Sequence, residues 1–463
     1  MKNLTVANIA KACNGKIYNF DLSEDREVSG VAIDSRKTSA NYLYIPFVGE
    51  RVDGHDYIPD VFNKNALITL SEVNLDEKYP YDKYPYILVE SSAQAIKDIA
   101  EYYRSNLDIK VVGITGSVGK TSTKEIIASV LEQKYKVLKT DGNFNNEIGL
   151  PLTIFRLTEE DEIAVLEMGI SEFEEMHRIA KVAKPDVCVI TNIGTCHLEN
   201  LGDRDGVLKA KTEIFDYMNE EGLIVLNGDD DKLITIEDYK GIVPLLFGNN
   251  DEFSAYPIDV TDLGLLGTKV LFNILGRTIE ATIPIPGKHM VGNALAASLI
   301  GDYFGLTDDE IKTGIESVKA VSGRNNIIKT DKYVVIDDCY NANPMSMKAS
   351  LDVLSTANTR KVAILGDMFE LGEDEIKHHE NIGKYAIEKK VDVLICVGNF
   401  SRSMCESARE EVKKIGADID VYYFGSMEKL KEVLKGILVE DDTVLIKASN
   451  GMHFKELVSL LVG

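Results

Sequence analysis

The sequence predicts an α/β protein of three domains. These are a small N-terminal α/β domain over residues 1–88, a central doubly wound, P-loop ATPase-like domain over 89–322, and a C-terminal Rossmann-like domain over 323–463. Three observations carry that expectation. Residues 110–125, KVVGITGSVGKTSTKE, run from an apolar strand through a glycine loop into a helical pattern. Apolar runs at 163–166, 187–190 and 223–226 alternate with helical spacing, as in a parallel sheet covered on both faces. A second series of strands follows at 333–336, 361–365, 393–397, 421–424 and 444–446.

Taken in order, residues 4–12 carry helical spacing, and 42–47 and 86–89 read as strands. Two stretches here, Asp34-Ser35-Arg36 and GERVDGHDY at 49–57, hold more polar groups than a connector needs. Spacing alone leaves surface decoration and ligand contact both open. Beyond the glycine loop the pattern predicts a helix over 122–132, a strand over 135–138 and a polar loop, TDGNFNNEIG, at 140–149. The run at 163–166 ends in Glu167, and that at 187–190 leads into TNIGTCHLE, which holds His197. A helix starting near Asp203 carries Lys209 and Lys211, two apart and therefore on different sides. Residues 253–285 look antiparallel, an extension of the sheet. A helix near 292–303 and another begun by Thr307, with Glu310 completing a capping box, close this part. The last domain has no GxGxxG after its first strand, so a second dinucleotide site is not supported.

Composition limits the partners. A chain of 463 residues holds two to four domains. A formal charge of -24 argues against nucleic acid or an anionic membrane as the main partner. An anionic substrate then needs local cations, backbone donors or a metal. Six cysteines (Cys13, Cys188, Cys196, Cys339, Cys396 and Cys405) form no CxxC pair, so reduced thiols and a cytoplasmic setting are expected. No signal peptide and no long apolar run is seen, so no membrane span is expected either.

The chemistry centres on the glycine loop. Gly116 and Gly119 let backbone N–H groups turn inward around an anion, and the following helix adds its own N-terminal donors. Lys120 then reaches the outer phosphates, and the Thr121 hydroxyl ligates Mg²⁺. Ile114 stands where the generic GxxxxGK[ST] pattern has its first glycine. Glu167, at the end of a strand beside this loop, places a carboxylate where a metal bridging phosphates needs one. For His197 the residues alone favour a hydrogen-bonded loop histidine, and for the Lys209/Lys211 pair a solvated face. Asn143, Asn145 and Asn146 are turn formers or phosphate donors, undecided by composition. Arg324 in SGR, Asp338 before CYNANP, and Lys447, Ser449 and Asn450 after the last strand all lie at places where a ligand collects.

Together, GITGSVGKTSTKE, TDGNFNNEIGLP, LEMG, NIGTCHLE, LKAKTEIF, HMVGNALAA, SGR, DDCYNANP and GDMFELGE resemble the Mur ligase family, as do IDSRK and GERVDGHDY in the first domain. The resemblance runs over nearly the whole chain. It implies an ATP-dependent amide ligase in which a UDP-muramoyl-tripeptide carboxylate becomes an acyl phosphate. The amine of D-alanyl-D-alanine then attacks through a tetrahedral intermediate. Position by position, it implies an ATP-binding set of Thr115, Gly116, Ser117, Gly119, Lys120, Thr121, Ser122, Asn146, Asn293, Arg324 and Asp338. Thr121 and Glu167 would hold one Mg²⁺, and His197 and a carbamylated Lys211 a second. Lys120, Lys211 and His197 would be catalytic, and Asp34, Ser35 and Arg36 would bind the UDP-sugar. A monomer with a hinged third domain is expected. The chain departs from the family where KGSRG is usual, reading Lys447-Ala448-Ser449-Asn450-Gly451, and the lost arginine bears on the incoming amine. A related ligase with another amine is therefore the alternative. A nucleotide switch or ATPase that moves a partner is disfavoured, because residues 227–230 read NGDD rather than the guanine-reading NKxD and the N-terminal loops suit a small-molecule pocket better.

Overall fold

The computed structural model describes the chain from Met1 to Gly463, the side chain of Glu373 excepted. Its elements gather around three sheets, each flanked by helices. The first has the order Lys16–Tyr18, Tyr86–Leu88, Ile68–Ser71, Tyr42–Tyr44, Gly30–Ala32, antiparallel at its first pair and parallel after it. Three of these strands escape a sequence reading, since three or four residues are too few to show a period. The run expected over 42–47 pairs only through Tyr42–Tyr44, ahead of Pro46, which has no N–H to give the ladder.

A helix that the pattern reading did not single out, Ser92–Ser105, starts where Ser91 accepts from the Gln94 N–H at 3.3 Å. Its buried residues Ala95, Ile96, Ile99, Ala100 and Tyr103 recur at helical spacing. They pack it against helices Val6–Ala12, Gly149–Ile154 and Glu175–Ala183. The first and central sheets thereby share one apolar cluster.

The central sheet has nine strands. Lys110–Thr115 lies in its middle, with Ile163–Glu167 on one side and Val187–Ile190 on the other, all parallel. Neighbours in sequence thus leave this strand in opposite directions, which opens a crevice at its carboxyl end. Alternate side chains feed two cores: Val111, Leu166 and Ile190 face one, Val112, Val165 and Val189 the other. Burial on both faces explains why these strands read as unbroken apolar runs. Each such side chain contributes about 1.5–3 kcal/mol. Helices Lys120–Leu131, His289–Tyr303 and Asp308–Ser317 cover the second face. As the sequence predicts, Ala255–Asp262, Thr268–Ile274 and Arg277–Ile283 extend the sheet antiparallel to one another.

The third sheet has the order Asn326–Lys329, Tyr333–Asp337, Asp442–Lys447, Lys361–Gly366, Val393–Val397, Asp420–Phe424. Only its first pair is antiparallel. Its carboxyl ends carry Asp338, Asp367 and Lys447. Among the described residues no helix is long and apolar enough to cross a membrane.

Candidate active site

At the end of Lys110–Thr115 the chain turns through Gly116 (φ 148°) and Gly119 (φ 88°). A Cβ on Gly116 would stand 1.9 Å from Thr191 Oγ1, so only glycine fits. The loop is latched to the next strand's exit. The Ser117 and Val118 N–H groups donate to Asn192 O and Oδ1 at 3.1 and 2.9 Å, and Thr191 Oγ1 donates to Val118 O at 2.6 Å. Helix Lys120–Leu131 then begins on Gly119 with no side chain capping it. Its first N–H groups remain available to an anion, and its dipole favours one. Lys120 Nζ donates back to Gly116 O at 2.7 Å, the contact a phosphate would replace. Thr115 Oγ1 is buried here without a partner.

The metal side is equally ordered. Parallel register sets Ile114 opposite Glu167, which delivers that carboxylate to the base of the loop. Thr121 Oγ1 donates to Glu167 Oε2 and Asn145 Nδ2 to Oε1, both at 2.9 Å, and the Glu167 N–H donates to Thr140 Oγ1 at 3.0 Å. Glu167 is buried, as is Thr121. Asn145, rather than Asn146, therefore brings the loop amide to this carboxylate. Asn146 is exposed and spends its Oδ1 on the Gly149 N–H at 2.8 Å, closing the turn into helix Gly149–Ile154.

Lys211 is buried in helix Arg204–Thr212, and burial, with the Lys120 charge nearby, pushes its pKa from 10.5 to about 8. No carboxylate figures among the groups that act on it. His197 sits at φ 54° before the short helix Leu198–Leu201, its pKa lowered by burial. The Lys211 and Lys120 charges push the same way, so these groups share one neighbourhood. Glu370 Oε2, from the third sheet's loops, lies 3.3 Å from His197 Nδ1. No three of His, Cys, Asp and Glu form a closed cage among the described residues. Mg²⁺ does not require one, since it commonly takes one or two carboxylates and completes its shell with phosphates and water. The hydroxyl–carboxylate pair of Thr121 and Glu167, both facing an anion cradle, is a donor set that fits it.

A cavity of about 270 Å³ adjoins the loop, lined by Gly119, Ser122 and Asn293 of the central part and by Arg324, Asp338 and Lys447 beyond it. Asn293 is buried and its Oδ1 accepts from Thr123 Oγ1 at 3.0 Å. The Arg324 guanidinium stacks on Tyr340 at 4.1 Å, while its Nε is buried with no partner. Asp338 accepts from Lys447 Nζ at 2.6 Å, from the Asn325 N–H at 3.1 Å and from Ser350 Oγ. Phe247, His289 and Met345 also line this cavity and were not foreseen: Phe247 and Met345 lie outside the motifs, and in HMVGNALAA only Asn293 was singled out.

The remaining motifs lie away from this cavity. Asp34 caps the turn Ser35–Lys37 and pairs with Arg36 at 2.8 Å, which holds its carboxyl down to about 2; Asp34 is half-buried, Arg36 is exposed, and both lie outside the cavity lining. Lys64 Nζ donates to Ser35 O at 2.8 Å and fixes that turn. In GERVDGHDY the buried His55 faces Asp53 Oδ1 through Nδ1 at 2.7 Å and accepts the Glu72 N–H on Nε2 at 3.1 Å. In GDMFELGE, Asp367 accepts the Asn399 and Ser401 N–H groups at 2.9 and 2.7 Å.

A phosphate cradle, a flanking carboxylate and a cavity finished by residues of a third sheet define a nucleotide-binding α/β architecture. The descriptions "Mur ligase family, catalytic domain", "Mur ligase middle domain" and "Mur ligase, glutamate ligase domain" match residues 27–104, 114–301 and 323–450. The chain belongs to the Mur ligase family. It is 35% identical over 461 residues to the UDP-N-acetylmuramoyl-tripeptide--D-alanyl-D-alanine ligase of Bacillus subtilis (strain 168), covering 99% of this chain and 98% of that one. The same ligase of Escherichia coli (strain K12) is 31% identical, with 100% and 99% covered. A MurF crystal structure from Acinetobacter baumannii superposes with a TM-score of 0.89 at 27% identity, covering 99% of this chain and 98% of that one. MurF ligase from Thermotoga maritima in complex with ADP gives 0.80 at 28%, covering 93% and 96%.

Proposed function

We propose that this protein joins D-alanyl-D-alanine to UDP-N-acetylmuramoyl-tripeptide in peptidoglycan precursor synthesis, spending ATP to ADP and phosphate through an acyl phosphate. One observation carries the site reading: Thr121 and Glu167 meet at 2.9 Å beneath an uncapped helix start. Full-length similarity to ligases of that name supports the substrates.

The tripeptide carboxylate is a poor electrophile, and phosphorylating it supplies a leaving group. Negative charge then grows on the transferring phosphoryl group. Lys120, released from Gly116 O, and the N–H groups of the loop stabilise that charge more than they stabilise the ground state. Thr121 and Glu167 would hold one Mg²⁺, and His197 with a carbamylated Lys211 a second; bound there, the metal would supply further charge neutralisation. For Lys211 the depressed pKa is the chemical key, because only a neutral amine attacks CO₂. An N–C bond forms, one C=O π bond opens, and the amine proton leaves to solvent. A cation is thereby exchanged for an anionic carbamate. Asn293 faces the base, and Arg324 and Asp338 contact the nucleotide from the third domain; the unpartnered Arg324 Nε supports this. Asp34, Ser35 and Arg36 hold the uridine end. The test is phosphate release by the purified enzyme with ATP, Mg²⁺, UDP-muramoyl-tripeptide and D-Ala-D-Ala. Release no greater than in single-substrate controls overturns the proposal.

A second reading, another amine as acceptor, rests on the altered loop after the last strand. Ala448 is fully buried, and a Cβ on Gly366 would come within 2.6 Å of its own, so the alanine is accommodated by that glycine. Asn450, exposed in place of the usual arginine, is the change that reaches solvent. A panel of amines in which D-Ala-D-Ala is not the preferred acceptor selects this reading.

A further inference from the structure

Two motifs far apart in the sequence, SGR and DDCYNANP, are laced into one unit beside the cavity. The Gly323 N–H donates to Asp337 Oδ2 at 2.7 Å, and the Asn325 N–H donates to Asp338 Oδ1 at 3.1 Å. In return the Tyr340 N–H donates to Gly323 O at 3.2 Å. Gly323 takes φ 79°, and a Cβ there would stand 3.0 Å from Tyr340 Cβ, so the glycine is what lets the tyrosine come this close. The backbone of Arg324 is thereby held on both sides. Its side chain is held as well. The guanidinium lies 4.1 Å from the centre of the Tyr340 ring, while its Nε is buried without a partner. A ring face at that distance attracts the cation and matches its planar shape. Burial raises the pKa of the half-buried Tyr340 phenol, the Glu167 charge pushes the same way, and the Arg324 charge opposes both. The stack therefore lies within reach of Glu167, towards the phosphate loop rather than the base end at Asn293. A free arginine loses rotamer entropy when it grips a ligand, and one already laid on a ring has less to lose.

We infer that Tyr340 is a positioning residue for the nucleotide: its ring holds the Arg324 guanidinium flat and ready for a phosphate group. Arg324 lines the cavity and Tyr340 does not, so the tyrosine acts through the arginine. The inference rests on the proposed contact of Arg324 with the nucleotide. It gives the tyrosine of DDCYNANP a task that the ATP-binding set leaves open.

The experiment measures ADP binding to the full-length enzyme by titration calorimetry with Mg²⁺ present. Tyr340→Phe keeps the ring and should bind within about two-fold of the parent, whereas Tyr340→Leu should bind roughly 10-fold more weakly. In an Arg324→Met background, Tyr340→Leu should cost nothing further. A second series places mono-, di- and trifluorophenylalanine at position 340. Fluorine drains the ring face of electron density at nearly constant shape, so affinity should fall step by step. This series does not depend on the leucine variant folding. Affinity that stays level across the fluorinated rings overturns the inference. So does an equal loss from Tyr340→Leu with and without Arg324, which is the result a packing role alone would give. If Arg324→Met binds ADP as the parent does, the nucleotide contact of Arg324 fails, and the inference falls with it.

Discussion

Replacing Lys211 by methionine should make the protein more stable at neutral pH while abolishing turnover. In the fold, burial and Lys120 bring this amine from 10.5 to about 8, which corresponds to about 3 kcal/mol against its charged form. Below pH 8 both folded and unfolded chains hold the proton, so the fold carries the whole penalty. Between about pH 8 and 10.5 the folded chain releases the proton while the unfolded chain keeps it, and stability rises with pH. Above 10.5 the penalty is gone. Methionine fills a similar volume without a charge, so Lys211→Met should gain up to about 3 kcal/mol at pH 7. For a domain of this size that is a ceiling of roughly 6–12 °C in the transition midpoint, reduced by any water that reaches the site. Calorimetry on metal-free, CO₂-free enzyme at pH 7 and pH 10.5 measures it. A variant no more stable than the parent at pH 7, or an advantage undiminished at pH 10.5, would refute the reasoning. Adding bicarbonate should recover part of the difference in the parent alone.

Three further outcomes are expected. Gly116→Ala places a Cβ 1.9 Å from Thr191 Oγ1, so the loop must shift; ADP affinity by calorimetry should fall roughly 100-fold, with circular dichroism unchanged. Lys447→Met leaves Asp338 buried without its 2.6 Å partner and should cost about 3–5 kcal/mol in urea unfolding of the third domain, most of it recovered by adding Asp338→Asn. Arg36→Ala removes a solvent-facing cation, so the melting temperature should hold while the KM for the UDP-sugar substrate rises roughly 10-fold and kcat stays level.

Much of the site was legible because its signals are local. Gly116, Gly119, Lys120 and Thr121 sit within six residues, and strand before and helix after state their purpose. Glu167 followed from a strand end. The polar loop after residue 139 was only half legible. Asn145 and Asn146 are adjacent and chemically identical, and only the turn into helix Gly149–Ile154 decides which one faces Glu167. His197 and Lys211 looked ordinary by spacing, and family resemblance marked them. Burial, which spacing does not report, is what separates Lys211 from a surface lysine.

Alone, the order of residues determined the alternation of strands and helices and the phosphate loop. It did so because apolar period, glycine freedom and helix-end donors act within one or two turns of chain. The tertiary structure decided which distant side chains share one space: Asn293 with Arg324 and Asp338 around a cavity, and Glu370 against His197. It also decided how much water each group loses. Both depend on the crossing of strands far apart in sequence, and a buried amine acquires its chemistry only after those strands have met.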